Sequence, residues 1–425
     1  MRRMTERPGY PRLVLAMLLV VYTFNWIDRQ ILSILAVPIQ QDLHLDDAQF
    51  GAIGGTAFAL LYSVLGVPLA LLADRYGKTR VIAAALVVWS AFTALCGMAA
   101  NFRQLFLFRL GVGVGEAGGV APSYALIADY FPLERRARAL AIYSMGIPIG
   151  LACGVLLGAY IAALVDWRVA FLVVGAGGIV LAPVFLWLVR DRPRPAPDPA
   201  AVRAPLLAVF PILARKPAFW LMAFGAGCSS LAGYGLALWI PKIIAIQFHW
   251  TARLDAIKVG QFMGSLLLIG GATGVFLGGV LADKLGRGDR GWYVKLPAFA
   301  WLITAPTFVL GLVSPSPALA WACLLIPNAL NILWLGPITT AVQRLAPSHM
   351  RASASGAFLL INNLIGLGIG PWLMGATSVA LKARYGDDSL RYAAIIGVGF
   401  YLIAAVLGLL AVRPLRRGWV DEPGA

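Results

Sequence analysis

Twelve predominantly apolar stretches, each about 20 residues or longer, recur along this chain of 425 residues. They cover 13–37, 48–73, 80–100, 104–130, 139–163, 168–189, 218–241, 259–282, 295–313, 318–343, 353–380 and 392–412. A soluble domain would have to wrap every one of them in further apolar sequence. A bilayer needs no such wrapping, and inside it only a helix or a closed barrel satisfies its own backbone. Runs this long are helical. With 60% hydrophobic and only 13% charged residues, the chain reads as an all-α polytopic membrane protein. The first stretch, behind Arg2 and Arg3, is too long for a signal peptide and lacks a clear cleavage site, so it reads as a retained span.

The net charge of +16 could suggest nucleic acid. Its placement assigns it to topology instead. Of the 35 Lys and Arg, 25 fall in connections on one side, among them Arg12, Arg75, Lys78, Arg80, Arg135, Arg136, Arg138, Arg190, Arg192, Arg413, Arg416 and Arg417. Eight fall on the other side, and Arg29 and Arg109 lie within spans. The basic side faces the cytoplasm, which puts both termini and the central connection there. Membrane lipids are the partners of this excess, nucleic acid is not, and a bacterial inner membrane is the expected location of a monomer.

The connection 190–217 is rich in Pro and Arg and separates six spans from six. It reads as a semi-extended linker between 1–189 and 218–425. The halves echo each other. Asp74-Arg75-Tyr76-Gly77-Lys78 follows the second span, and Asp283-Lys284-Leu285-Gly286-Arg287 follows the eighth. Pro132 with Arg136 precedes the fifth span, and Pro347 with Arg351 precedes the eleventh. A repeat at half the chain length fits two pseudo-symmetric six-helix bundles around a midplane site.

The span most burdened by charge is Phe108–Pro132, FRLGVGVGEAGGVAPSYALIADYFP. Arg109 and Glu116 stand well inside it, and each costs roughly 2.5–3.5 kcal/mol at mid-membrane on insertion scales. Seven residues apart, they share one helix face about 10 Å apart along the axis. Gly111, Gly113, Gly115, Gly118 and Gly119 let neighbouring helices approach closely. The expectation is a helix whose charged face looks into a polar cavity.

The paired loop boxes resemble those of the major facilitator superfamily, and the likeness covers nearly the whole chain. The glycine that this family places four residues before the box aspartate is present as Gly279, while the first copy has Ala70. Gly146, Gly150, Gly154 and Gly158, with Pro148, are similar to its glycine-rich fifth helix. Asn25-Trp26-Ile27-Asp28-Arg29, the GVGEA of 113–117 and RARALAIYSMGIPIG of 136–150 resemble the spinster branch. That resemblance implies twelve transmembrane helices in the major facilitator fold. It further implies secondary active transport of a lysophospholipid or sphingosine phosphate, with coupling to protons.

Asn25 and Asp28 share a face of the first span, and the resemblance places Asp28 near Arg109. Asn25, Asp28, Arg109 and Glu116 are therefore the candidate substrate and coupling residues. A guanidinium that leaves a carboxylate for an anionic headgroup would promote proton uptake; the plain alternative is a static buried ion pair. Arg29, on a different face, is read as snorkelling or pairing elsewhere. Asp74, Arg75, Gly77, Lys78, Arg138, Asp283, Gly286 and Arg287 are the candidate gating residues, with Asp74 reaching toward Arg138. Tyr234, Asn328, Asn331 and Asn362 are possible cavity lining, or helix–helix glue. A first half charged within its spans and a second half nearly bare of charge within its own suit an amphiphilic anion; a small sugar acid or carboxylate carried with protons is the other transport reading. His44, His249 and His349 fall in loops. Cys96, Cys153, Cys228 and Cys323 form no metal or redox motif. No catalytic motif or Walker loop occurs, so neither an enzyme nor an ATP-driven pump is expected, and no cofactor beyond a proton gradient. A non-transporting receptor would bind ligand without accumulating it.

Overall fold

The computed structural model of the chain describes residues 9–192, 209–286, 289–331, 333–347 and 350–420. Regular structure among the described residues is helical throughout. Among the described residues eleven runs are long and apolar enough to cross a membrane. The last, Ser353–Gly418, holds two helices on either side of the 3-10 turn Gly386–Asp388, and so supplies two crossings.

Five of the spans expected to be continuous are broken. α1 (Tyr10–Ile34) stops at Leu35 before α2 (Ala36–Leu43). α3 (Asp47–Gly54) and α4 (Thr56–Tyr76) meet at Gly55. α5 (Lys78–Cys96) is unbroken, but the next span divides into α6 (Phe102–Glu116) and α7 (Val120–Tyr130). α8 (Leu133–Ser144) and α9 (Gly146–Leu164) are divided at Met145, and α10 (Trp167–Leu188) follows. After α11 (Phe210–Ala214) come α12 (Pro217–Gln247), α13 (Ala256–Gly286) and α14 (Trp292–Leu312). α15 (Pro317–Leu330) and α16 (Leu335–Gln343) again share one span, ahead of α17 (Arg351–Tyr385) and α18 (Ser389–Gly418). Proline lacks the N–H for the bond to the residue four before it. Pro38, Pro148 and Pro337 therefore release the carbonyls of Ile34, Ser144 and Leu333, beside three of the breaks. Gly55 and the Gly118–Gly119 pair mark the other two, where helix preference is weakest.

By contact the chain forms two compact units: Met1–Ala196 with Leu238–Leu268, and Pro197–Ala237 with Ile269–Ala425. The end of α12 and the start of α13 thus belong with the first unit. In that unit α9 lies along α1, α10 along α5, and α6 between α4 and α5. The glycines of the fifth span make the α9–α1 contact close. A Cβ at Gly150 would stand 2.6 Å from the Thr23 carbonyl oxygen, and one at Gly154 would stand 2.9 Å from that of Ile27. At the other edge Lys242 Nζ donates to Gln40 Oε1 at 2.7 Å and to Asp47 Oδ1 at 2.5 Å.

In the second unit α14 and α17 both pack on α18. Asp289 ties the loop before α14 to the end of α18, accepting from Arg416 and, at 3.0 Å, from Lys295. Lys216 Nζ donates to the carbonyls of Leu345 at 2.8 Å and Gly418 at 3.0 Å, joining two helix ends.

Candidate functional site

α6 starts cleanly because Asn101 accepts from the Gln104 N–H at 3.0 Å, an N-cap that fixes where the helix begins. Its glycines then bring it against two neighbours. A Cβ at Gly113 would come within 2.5 Å of the Phe58 carbonyl oxygen on α4, and one at Gly115 within 2.4 Å of the Trp89 nitrogen on α5. This close seating carries Arg109 and Glu116 into the interior of the first unit. Arg109 is 2% exposed and Glu116 not at all; across from them on α1, Asn25 and Asp28 are equally buried. The charged face of α6 is therefore packed inside the unit rather than open to water, which corrects the expected cavity-facing placement.

The pairing also differs from expectation. Glu116 is met by Arg29, whose Nε donates to Oε2 at 2.7 Å. The Arg29 guanidinium is further enclosed by three rings: Trp26 at 4.9 Å, Phe58 at 4.7 Å and Tyr62 at 4.6 Å. Arg29 is thus no snorkelling side chain, and the reading that sent it elsewhere missed a central member. Arg109 reaches Asp28 through the backbone, with Nη1 3.5 Å from the carbonyl oxygen. Among the described residues no carboxylate lies within ion-pair distance of Arg109. Asp28 is flanked instead by Thr93 and Trp89 of α5. Asn25 Oδ1, Asp28 Oδ1, Arg109 Nε and Glu116 Oε1 lack a partner, as do Trp26 Nε1, Trp89 Nε1 and Thr93 Oγ1 beside them. Buried polar atoms left in that condition are rare and costly. Of the two carboxyls and two guanidiniums here, Arg29 and Glu116 form the pair within ion-pair distance.

The candidate gating residues Asp74, Arg75, Gly77 and Lys78 form a second locality. Gly77 closes α4 with φ +98°, a conformation other residues rarely adopt. Lys78 is buried and pairs with Asp129 of α7, and its Nζ also donates to the Ala125 carbonyl at 3.0 Å. Asp191 accepts from both the N–H and the hydroxyl of Thr79 at 3.1 Å. Asp74, Arg75 and Arg138 are exposed. A cavity of about 510 Å³ lies here, lined by 73–80, Asp129, Leu186 and 189–192. The partners Asp129 and Asp191 went unread in the sequence; each is a lone aspartate at the end of an apolar span. In the second copy, Asp283 and Gly286 lie in α13 with side chains outside the description, and Arg287 lies outside the described residues.

In the second unit the polar residues singled out in the sequence make hydrogen bonds both between helices and within one. Asn362 is buried and accepts from Ser230 at 2.8 Å; Asn331 accepts from the Tyr401 hydroxyl at 3.0 Å; Asn328 donates to the Leu324 carbonyl of its own helix at 2.9 Å. Tyr234 is half-buried. His44 ends α2 and His249 follows α12, both with positive φ, while His349 lies outside the described residues. Among the described residues no group of His, Cys, Asp and Glu is set to hold a metal.

A model of the Major Facilitator Superfamily matches residues 18–371. The chain is 32% identical over 406 residues to an "MFS-type efflux pump" of Mycolicibacterium smegmatis, covering 95% of this chain and 93% of that one. It is 29% identical over 287 residues to a "Probable L-galactonate transporter" of Escherichia coli, covering 64% and 62%. Among solved structures, a bacterial homolog of the human lysosomal transporter Spinster, inward-facing and unoccupied, superposes with a TM-score of 0.86 at 28% identity, covering 98% of this chain and 100% of that one.

Proposed function

Because the chain belongs to the Major Facilitator Superfamily, we propose that it carries an amphiphilic anion, such as a lysophospholipid or a sphingolipid phosphate, by alternating access coupled to protons. That membership makes it an integral-membrane transporter rather than an enzyme. The observation that carries the substrate reading is Arg109. It is a buried guanidinium with an unpartnered Nε and no carboxylate in reach. Such a group is a ready receptor for the oxygens of a phosphate or carboxylate, which a planar fork binds at two points. The apolar runs of the second half of the sequence are nearly bare of charge, a composition that suits an aliphatic tail. A tail is what separates this reading from a sugar acid.

Coupling follows from charge balance. With both carboxyls ionised, Asp28 and Glu116 would offset Arg29 and Arg109; an anion on Arg109 then adds negative charge to a buried cluster, and uptake of a proton by Asp28 or Glu116 offsets it. The excess of basic residues on one side supports cytoplasmic termini, and bacterial relatives support an inner-membrane location.

The test is uptake of labelled lysophosphatidate and of galactonate into proteoliposomes. The reading expects lysophosphatidate transport, lost about tenfold or more in Arg109→Gln and only partly restored in Arg109→Lys, since a point charge replaces the fork. Transport of galactonate alone, or full activity in Arg109→Gln, would overturn it.

A further inference from the structure

We propose that Phe58 is a positioning residue whose ring holds the Arg29 and Arg109 guanidiniums in one buried cluster while leaving each to its own partner. The inference rests on the coupling role proposed above for that cluster. Phe58 sits on α4, is 1% exposed, and carries no charge. Its ring centroid lies 4.7 Å from the Arg29 guanidinium carbon and 5.5 Å from that of Arg109. Two like charges around a single ring, in a medium of low dielectric, repel strongly. The negative face of an aromatic ring attracts both.

The two cations do not depend on it equally. Arg29 has Glu116, Trp26 and Tyr62 besides Phe58. Arg109 has a long contact to the Asp28 carbonyl and Phe58. Phe58 is accordingly the ring that contacts Arg109 where no carboxylate comes within ion-pair distance, Asp28 and Glu116 acting on it only at longer range.

The ring is itself held. Its backbone carbonyl abuts α6 at Gly113, where a Cβ would approach to 2.5 Å. Tyr62, one turn on, stacks against it at 5.1 Å and 25°. The charged and titratable groups coupled electrostatically around Arg29, Arg109 and Tyr62 are Tyr22, Asp28 and Arg29 from α1, Tyr62 from α4, Cys96 from α5, Arg109 and Glu116 from α6, Tyr124 from α7 and Tyr143 from α8.

A ring that merely fills space can be exchanged for an aliphatic side chain of similar size. A ring that holds cations cannot, although tyrosine or tryptophan can take its place. The experiment uses the purified full chain with Phe58→Leu, Phe58→Met, Phe58→Tyr and Phe58→Trp, each alone and combined with Arg109→Gln. Thermal unfolding in detergent needs no substrate. The proposal expects Phe58→Leu to lower the midpoint, and most of that loss to vanish when Arg109 is already neutral, because neighbours that share an interaction are not additive. In proteoliposomes, Phe58→Leu and Phe58→Met should shift the half-maximal pH of lysophosphatidate-driven proton flux by about half a unit, and Phe58→Tyr should restore it. Equal loss from Phe58→Leu in both backgrounds, with an unmoved pH profile, would overturn the proposal. If no variant or parent moves lysophosphatidate, the transport reading falls while the unfolding cycle still decides the role of Phe58.

Discussion

At the scale of single residues, the buried Arg29–Glu116 pair sets the energetics of the first unit. Its attraction barely repays the removal of both charges from water, yet breaking it strands one of them. Arg29→Met should therefore destabilise by about 3–5 kcal/mol, and adding Glu116→Leu should recover most of that loss. Chemical unfolding in detergent micelles would measure both. That Arg29 rather than Arg109 meets Glu116 was not legible from spacing. Asp28 and Arg29 are neighbours on a helix, separated by about 100° of rotation, and both carry charge. Which of them turns toward α6 depends on how α1 is rotated, and that is fixed by α9 pressing Gly150 and Gly154 against the carbonyls of Thr23 and Ile27. Charge inside an apolar run singled out Arg109 and Glu116, and the family resemblance implied that Asp28 lies near Arg109; neither revealed the pairing.

At the scale of elements, glycine is a contact device in some spans and a spectator in others. At Gly150 a Cβ would meet the Trp26 Cβ at 2.5 Å and the Thr23 carbonyl oxygen at 2.6 Å. Gly150→Ala should cost about 1–3 kcal/mol, the usual penalty for overfilling a packed contact. At Gly66 a Cβ would meet nothing within 4 Å. Gly66→Ala should instead leave stability unchanged or raise it by about 0.5–1 kcal/mol, since alanine is the better helix former. Melting curves of the two variants should move in opposite directions. The existence of the spans was plain from the apolar runs. Their interruptions were less so: a proline removes a bond from the turn before it, and the visible break at Leu35 precedes Pro38 by three residues. The glycines at Gly118 and Gly119 were read as contact surface, whereas they also lie where α6 gives way to α7.

At the scale of the whole molecule, the repeat, the basic side and the family agree, and each can be probed from outside. Impermeant thiol reagents should label a cysteine at Arg384 from the external side of intact cells and one at Arg413 only after lysis; both side chains are exposed. The second unit should also carry a specific acid sensitivity. Hydrogen bonds from Arg416, from the Gly291 N–H and from Lys295 hold the Asp289 carboxyl well below its usual range. A folded pKa lower than the unfolded one contributes stability above the ordinary carboxylate range, near pH 4, and that contribution is lost as pH falls through the folded value. Asp289→Asn should flatten the decline in melting temperature below about pH 4 and lower stability at neutral pH.

The central claim is that the buried cluster of Asp28, Arg29, Arg109 and Glu116 in the first unit binds an anion at Arg109 and takes up a proton in return. Its most direct measurement is proton movement into proteoliposomes on addition of lysophosphatidate, compared among the parent chain, Asp28→Asn, Glu116→Gln and Arg109→Gln. The account predicts substrate-driven proton flux in the parent, none in Arg109→Gln, and its loss in at least one of the two neutralised carboxylates. Flux of parental size and pH dependence in all three variants would contradict it.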